Sequence, residues 1–68
     1  MITVDARGYS CPEPMLMARD AVKSSNGEAV RVLVSSTNAR DNVKGVAKKA
    51  KRGATVEQDG ADFIVTIL

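Results

Sequence analysis

A two-layer α/β sandwich, with one four-stranded sheet and two helices packed on one face of it, is the fold class this sequence predicts. Three observations lead there. Apolar residues recur with a period of two in four short runs and with a helical period in two longer ones. Those runs follow one another in the order β-α-β-α-β-β. A chain of 68 residues makes one domain, residues 1–68, and right-handed crossovers put both helices on the same side of the sheet.

Each element has its own justification. Ile2-Thr3-Val4-Asp5 alternates apolar and polar and reads as a half-buried strand. A helix is expected from about Pro14 to Ser25, where Met15, Ala18, Ala21 and Val22 share a face and Leu16 and Met17 border it. Lys23 suits its last turn, and Gly27 is its expected stop. Ala29 to Ser35 is rich in valine, with Val30, Val32 and Val34 on one side and Arg31 on the other, so it reads as a strand. Ser36, Thr37 and Asn38 form a capping cluster for a second helix. There Ala39, Val43, Val46, Ala47 and Ala50 fall at i, i+4, i+7, i+8 and i+11, and Gly53 is the expected end. Gly45 inside it costs on the order of 1 kcal/mol against alanine, and a close helix–sheet approach would explain it. Asp59-Gly60 then marks a turn between two strand-like runs. In the last run Phe63, Val65 and Ile67 face one way, and Ile64, Thr66 and Leu68 the other. The outer sheet face is left bare by this design, with Ile64 and Leu68 expected on it, where a partner or second copy could cover them.

Composition narrows the function classes. Hydrophobic residues at 44% and charged residues at 26% describe a globular chain, not a disordered one. The only aromatics are Tyr9 and Phe63, so the core must be aliphatic. So short a chain buries about 60% of its unfolded surface, which leaves a thin stability margin. One cysteine excludes an internal disulfide. The start MITVDARG has no basic segment followed by an apolar run, and no stretch approaches the roughly 18 apolar residues of a membrane span. Cytoplasm is therefore the expected compartment. The absence of histidine excludes a Cys–His dyad, a Ser–His–Asp triad and a histidine metal site within the chain. No metal and no organic cofactor is implied.

The run RGYSCPEPM, residues 7–15, holds the single cysteine, Cys11, and both prolines, Pro12 and Pro14. Proline suits the first turn of a helix, because its missing N–H would have no intrahelical partner there. The two prolines also restrict Cys11 and Glu13, which precede them. The run is thus a rigid lead-in that places Cys11 at the start of the first helix. A helix N-terminus carries about half a positive charge, which favours a thiolate. Arg7 would add positive charge there and Glu13 would oppose it. A single nucleophilic sulfur can accept a sulfur atom from another protein, hold it as a persulfide and pass it on, with no internal base. The alternative is a cysteine that is a small hydrophobe in a regulatory or interaction module. In that case Cys11→Ala would leave function intact.

Asp5-Ala6-Arg7-Gly8-x-x-Cys11-Pro12-x-Pro14 strongly resembles the signature of the TusA family of small sulfur carriers, also called SirA-like, and the resemblance extends over the whole chain. It implies a mixed sheet with one strand antiparallel to the rest, similar to the C-terminal domain of translation initiation factor 3. It implies that Cys11 carries persulfide sulfur from a donor, a cysteine desulfurase or rhodanese-like protein, to an acceptor protein. The destinations it implies are tRNA thiolation, molybdenum-cofactor synthesis, or sulfur and selenium metabolism. Within the motif, Gly8 supplies a backbone turn, Asp5 and Arg7 pair to hold the loop, and Pro12 and Pro14 position the helix. The chain departs from the family at Tyr9, often leucine, at Thr37-Asn38, often Asp-Pro, and at Asn42-Val43, often Ile-Pro.

The second helical segment carries Arg40, Lys44, Lys48, Lys49, Lys51 and Arg52 against one acid, Asp41. Lys44, Lys48, Lys49, Lys51 and Arg52 are candidates for docking an acidic partner protein; the alternative is a solvated helix face. No aromatic interleaves these cations and the net charge is only +2, which speaks against direct nucleic-acid binding. A monomer or weak dimer is expected.

Overall fold

The computed structural model describes all of residues 1–68. The elements are β1 (Ile2–Asp5), α1 (Glu13–Ser24), β2 (Val30–Val34), α2 (Thr37–Lys49), β3 (Ala54–Asp59) and β4 (Asp62–Ile67). They form one sheet in the order β1-β2-β4-β3. β1 runs parallel to β2, while β4 is antiparallel to both β2 and β3. β4 is therefore the one reversed strand of a mixed sheet, and the expected element order holds throughout.

The register shows why two layers suffice. Ile2 and Val4 align with Val30 and Val32, and Ile67, Val65 and Phe63 align with Val30, Val32 and Val34. These residues make one apolar face, and both helices pack on it. Val30, Val32, Val34, Val65 and Ile67 are fully buried there beneath Ala18 of α1 and Val43 and Ala47 of α2. Each buried valine or isoleucine contributes roughly 1.5–3 kcal/mol, so this aliphatic patch is the main stabilising feature. Small residues on the helices let them sit close to the sheet. The opposite face carries Leu33 against Ile64 and Arg31 against Thr66. Ile64 thus lies on the outer face as expected, and Leu68, just past β4, is exposed.

Three sequence expectations change at the helix ends and at Gly45. α1 starts at Glu13 and stops at Ser24, and the chain leaves it through Asn26 and Gly27, both with positive φ. α2 does not run to Gly53. It ends at Lys49, with Ala50 as an exposed C-cap rather than a core residue. Lys51 takes the left-handed conformation, at φ 58°. Its N–H donates to Lys48 O at 3.0 Å and the Arg52 N–H donates to Ala47 O at 2.9 Å. This is the Schellman pattern, built on a lysine where glycine is usual. Gly45, finally, makes no close approach to the sheet: it is exposed, and an added Cβ would meet nothing within 4 Å.

The β3–β4 hairpin also differs by one residue from the expected Asp59-Gly60 turn. Asp59 pairs with Asp62, so the two-residue loop is Gly60-Ala61. Gly60, at φ 61°, occupies the first central position, which suits a type II′ turn.

Candidate functional site

The lead-in to α1 is folded by local chemistry. Beyond β1 the Ala6 N–H donates to Leu33 O at 2.8 Å, which extends the parallel pairing by one bond. The chain then turns, with the Tyr9 N–H donating to Ala6 O at 3.4 Å and Gly8 in the third position at φ 84°. A type II turn requires a positive φ there, which a side chain would resist. The Gly8 N–H donates to Ser35 Oγ at 3.2 Å and so ties the turn to the end of β2. The Glu13 N–H donates to Ser10 O at 2.9 Å and the Leu16 N–H to Pro12 O at 3.1 Å. Pro12 stands at the cap position of α1, while Pro14 is buried in its first turn and needs no N–H partner.

Asp5 and Arg7 lock the other side of the turn. Arg7 Nε and Nη2 each reach the Asp5 carboxylate at 2.9 Å, and the Arg7 backbone N–H donates to it at 3.2 Å. The Arg7 side-chain bonds, with this backbone bond, lower the Asp5 pKa to about 2. The carboxylate in turn raises the pKa of Arg7. The remaining Arg7 nitrogen lies 3.7 Å from Asp62 at the hairpin. The guanidinium is therefore committed to Asp5 and Asp62. The expectation that Arg7 would add positive charge beside Cys11 is replaced by an arginine that braces the loop.

Cys11 is exposed, and it lines a groove of about 450 Å³ at the carboxyl ends of the parallel strands β1 and β2. The first turns of both helices border this groove, through Pro12, Pro14 and Met15 of the α1 start and Ser36, Asn38 and Ala39 of the α2 start. Ser36 caps α2 by accepting from the Ala39 N–H at 3.1 Å. The positive ends of two helix dipoles thus point into one groove, which favours negative charge there. Gly8, Tyr9, Ser10, Ser35 and Asn42 complete the lining. No carboxylate, lysine or arginine lines it, so Glu13, although next to Pro12, does not enter. The site offers a sulfur nucleophile in an uncharged groove and no acid–base pair.

The nearest polar neighbour of the sulfur comes from the other helix. Asn42 Nδ2 lies 3.5 Å from Cys11 Sγ. Sequence reasoning noted Asn42 only as a departure from the usual family pattern and assigned it no role. A signal was present, because Asn38 and Asn42 stand four residues apart and share one face of α2.

The basic residues of α2 lie elsewhere. Lys44, Lys48, Lys49 and Lys51 are exposed. Lys49 borders a groove of about 400 Å³ between α1 and α2, together with Arg19 and Lys23. Arg52 departs from the docking set. Its guanidinium donates to Leu68 O at 2.7 Å, to Ser25 Oγ at 3.1 Å and to Glu28 O at 2.6 Å. A planar fork spent on three internal acceptors is a clamp inside the molecule, with little left for a partner.

A small α/β domain presenting one exposed cysteine between two helix N-termini is the class this fold and site define. Comparison with protein families gives the particular one. The model of the sulfurtransferase TusA family matches residues 2–68, and the chain belongs to that family. Among solved structures it is similar to the SirA-like protein from Desulfitobacterium hafniense. The TM-score is 0.90 at 33% identity, over 98% of this chain and 95% of that one. A comparison with curated proteins finds no match.

Proposed function

We propose that the protein is a persulfide carrier in which Cys11 bears the travelling sulfur. The observation that supports this reading best is the exposed Cys11 sulfur in an uncharged groove faced by two helix N-termini. Family membership supports sulfur-carrier function in general. The chemistry needs only a nucleophilic sulfur. The Cys11 thiolate attacks the outer sulfur of a persulfide on a donor protein. A new S–S bond forms on Cys11, the donor's S–S bond breaks, and its electron pair leaves with the donor thiolate. Unloading is the same step with the acceptor as nucleophile, and no external oxidant or reductant enters. A donor such as a cysteine desulfurase or rhodanese-like protein and a separate acceptor protein are the partners. Lys44, Lys48, Lys49 and Lys51 form the face on which an acidic surface of either would dock. Asp5, Arg7, Gly8, Pro12 and Pro14 hold the loop, and residues 1–68 act as one carrier domain.

Intact-protein mass spectrometry tests the reading. The wild type and Cys11→Ser are incubated with a cysteine desulfurase and cysteine, and separately with inorganic polysulfide or thiosulfate. A gain of one sulfur atom, reversed by reductant and missing in Cys11→Ser, is expected. No gain from any of these donors, with Cys11 alkylated no faster than a free thiol, overturns the proposal.

A further inference from the structure

The Asn42 carboxamide touches Cys11 from the facing helix, 31 positions away in the sequence, through Nδ2 at 3.5 Å from Sγ. Asn42 is half-buried in α2 and lines the Cys11 groove. It contributes nothing to the apolar core, and no other side chain donates a hydrogen bond to Sγ. An amide NH₂ group can only donate, so it is matched to a sulfur that carries negative charge. Sγ carries that charge as the attacking thiolate before loading, and it gains the charge anew in unloading, when the outer sulfur departs and the electron pair of the S–S bond stays on Sγ.

We infer that Asn42 is a positioning residue for unloading. Its NH₂ group holds Cys11 Sγ in the groove and stabilises the thiolate that forms as the outer sulfur is taken away. This rests on the reading of Cys11 as the persulfide carrier. In discharge to cyanide, used as a small nucleophile free of protein docking, carbon attacks the outer sulfur and a C–S bond forms. The S–S bond breaks, its electron pair goes to Cys11 Sγ, and the outer sulfur's proton goes to solvent, giving thiocyanate. Asn42 acts on the sulfur that receives the electron pair. During loading the same bond is made to the attacking sulfur, so it gives no advantage there. Loss of Asn42 should therefore separate the two half-reactions, which general loosening of the fold would not do.

The full chain is loaded with inorganic polysulfide, excess polysulfide is removed, and thiocyanate release after addition of cyanide is followed in the wild type, Asn42→Leu and Asn42→Asp. Leucine keeps the volume and removes both N–H donors, whereas aspartate keeps the shape and substitutes an acceptor. Asn42→Leu should take up one sulfur at the wild-type rate and discharge it about tenfold more slowly, the effect of one hydrogen bond to a developing charge. Aspartate should be at least as slow as leucine. Thermal unfolding of each variant shows which are folded, and the folded ones decide the matter. If the wild type loads and discharges and the variants match it in both steps, this inference is wrong and the carrier reading stands. If loading and discharge slow together in Asn42→Leu, Asn42 is structural only and the inference again fails. If the wild type takes up no sulfur, both fall.

Discussion

Replacing Arg52, just beyond α2, with alanine should destabilise the protein more than any surface substitution on that helix. The guanidinium joins three segments: it donates to Leu68 O beyond β4, to Ser25 Oγ at the end of α1, and to Glu28 O before β2. Leu68 and Glu28 are exposed, so water replaces the lost donor at their carbonyls and each bond counts for about 1 kcal/mol. Ser25 is only 4% exposed and keeps just its own bond to Val22 O, at 2.8 Å. Its share is about 1.5–2 kcal/mol, because a buried acceptor loses a charged donor. Releasing an arginine side chain returns about 1.5 kcal/mol of entropy. The net loss is about 2–2.5 kcal/mol, a large part of the stability of so small a domain, and corresponds to a Tm lower by roughly 10–20 °C. Urea unfolding followed by circular dichroism, with Lys48→Ala as an exposed control, measures it. Arg52→Lys should lose about half as much, since an ammonium cannot reach three divergent acceptors. Alkylation of Cys11 should stay unchanged, because Cys11 meets α2 at Asn42, about 10 Å along the helix from its last residue, Lys49, and the clamp lies beyond that end. If Arg52→Ala stays within about 0.5 kcal/mol of the wild type, the clamp is not a stabilising feature and Arg52 returns to the docking face.

Gly45→Ala should stabilise the protein by about 1 kcal/mol, since the site is mid-helix, exposed and free of neighbours; a lower urea midpoint would mean that the missing Cβ serves a contact. The Asp5–Arg7 pair makes a pH prediction. The Asp5 pKa is lowered from 3.8 to about 2, so its contribution is complete above pH 4 and is lost as the pH falls through 2. Urea midpoints between pH 5 and pH 2 should therefore fall more steeply for the wild type than for Asp5→Asn, and parallel curves would contradict the pairing.

Much of the fold was legible because it is written in local spacing. The alternation in Val30, Val32 and Val34 and the recurrence of Ala39, Val43, Val46 and Ala47 each report one buried face, and those faces meet in the structure. Cys11 was legible for a related reason, since Pro12 and Pro14 mark a helix start through their own backbone geometry. Gly53 misled because glycine is the usual residue past a helix end; here Lys51 adopts the left-handed conformation beside the Arg52 clamp. Gly45 misled because its cost suggested a contact, and the contact is absent.

By itself, then, the sequence determined the element order, the aliphatic core, the position of the single sulfur at a helix start and the exclusion of histidine chemistry. All of these follow from residue type and from spacings within about a dozen positions. The tertiary structure alone decided which cations are free and which polar group meets the sulfur. Arg52 finds its acceptors 16, 24 and 27 positions away, and Asn42 meets Cys11 across 31. Such polar contacts have no periodicity to announce them. They form only once packing of the valine face has brought the two helices side by side and set the ends of the chain against each other.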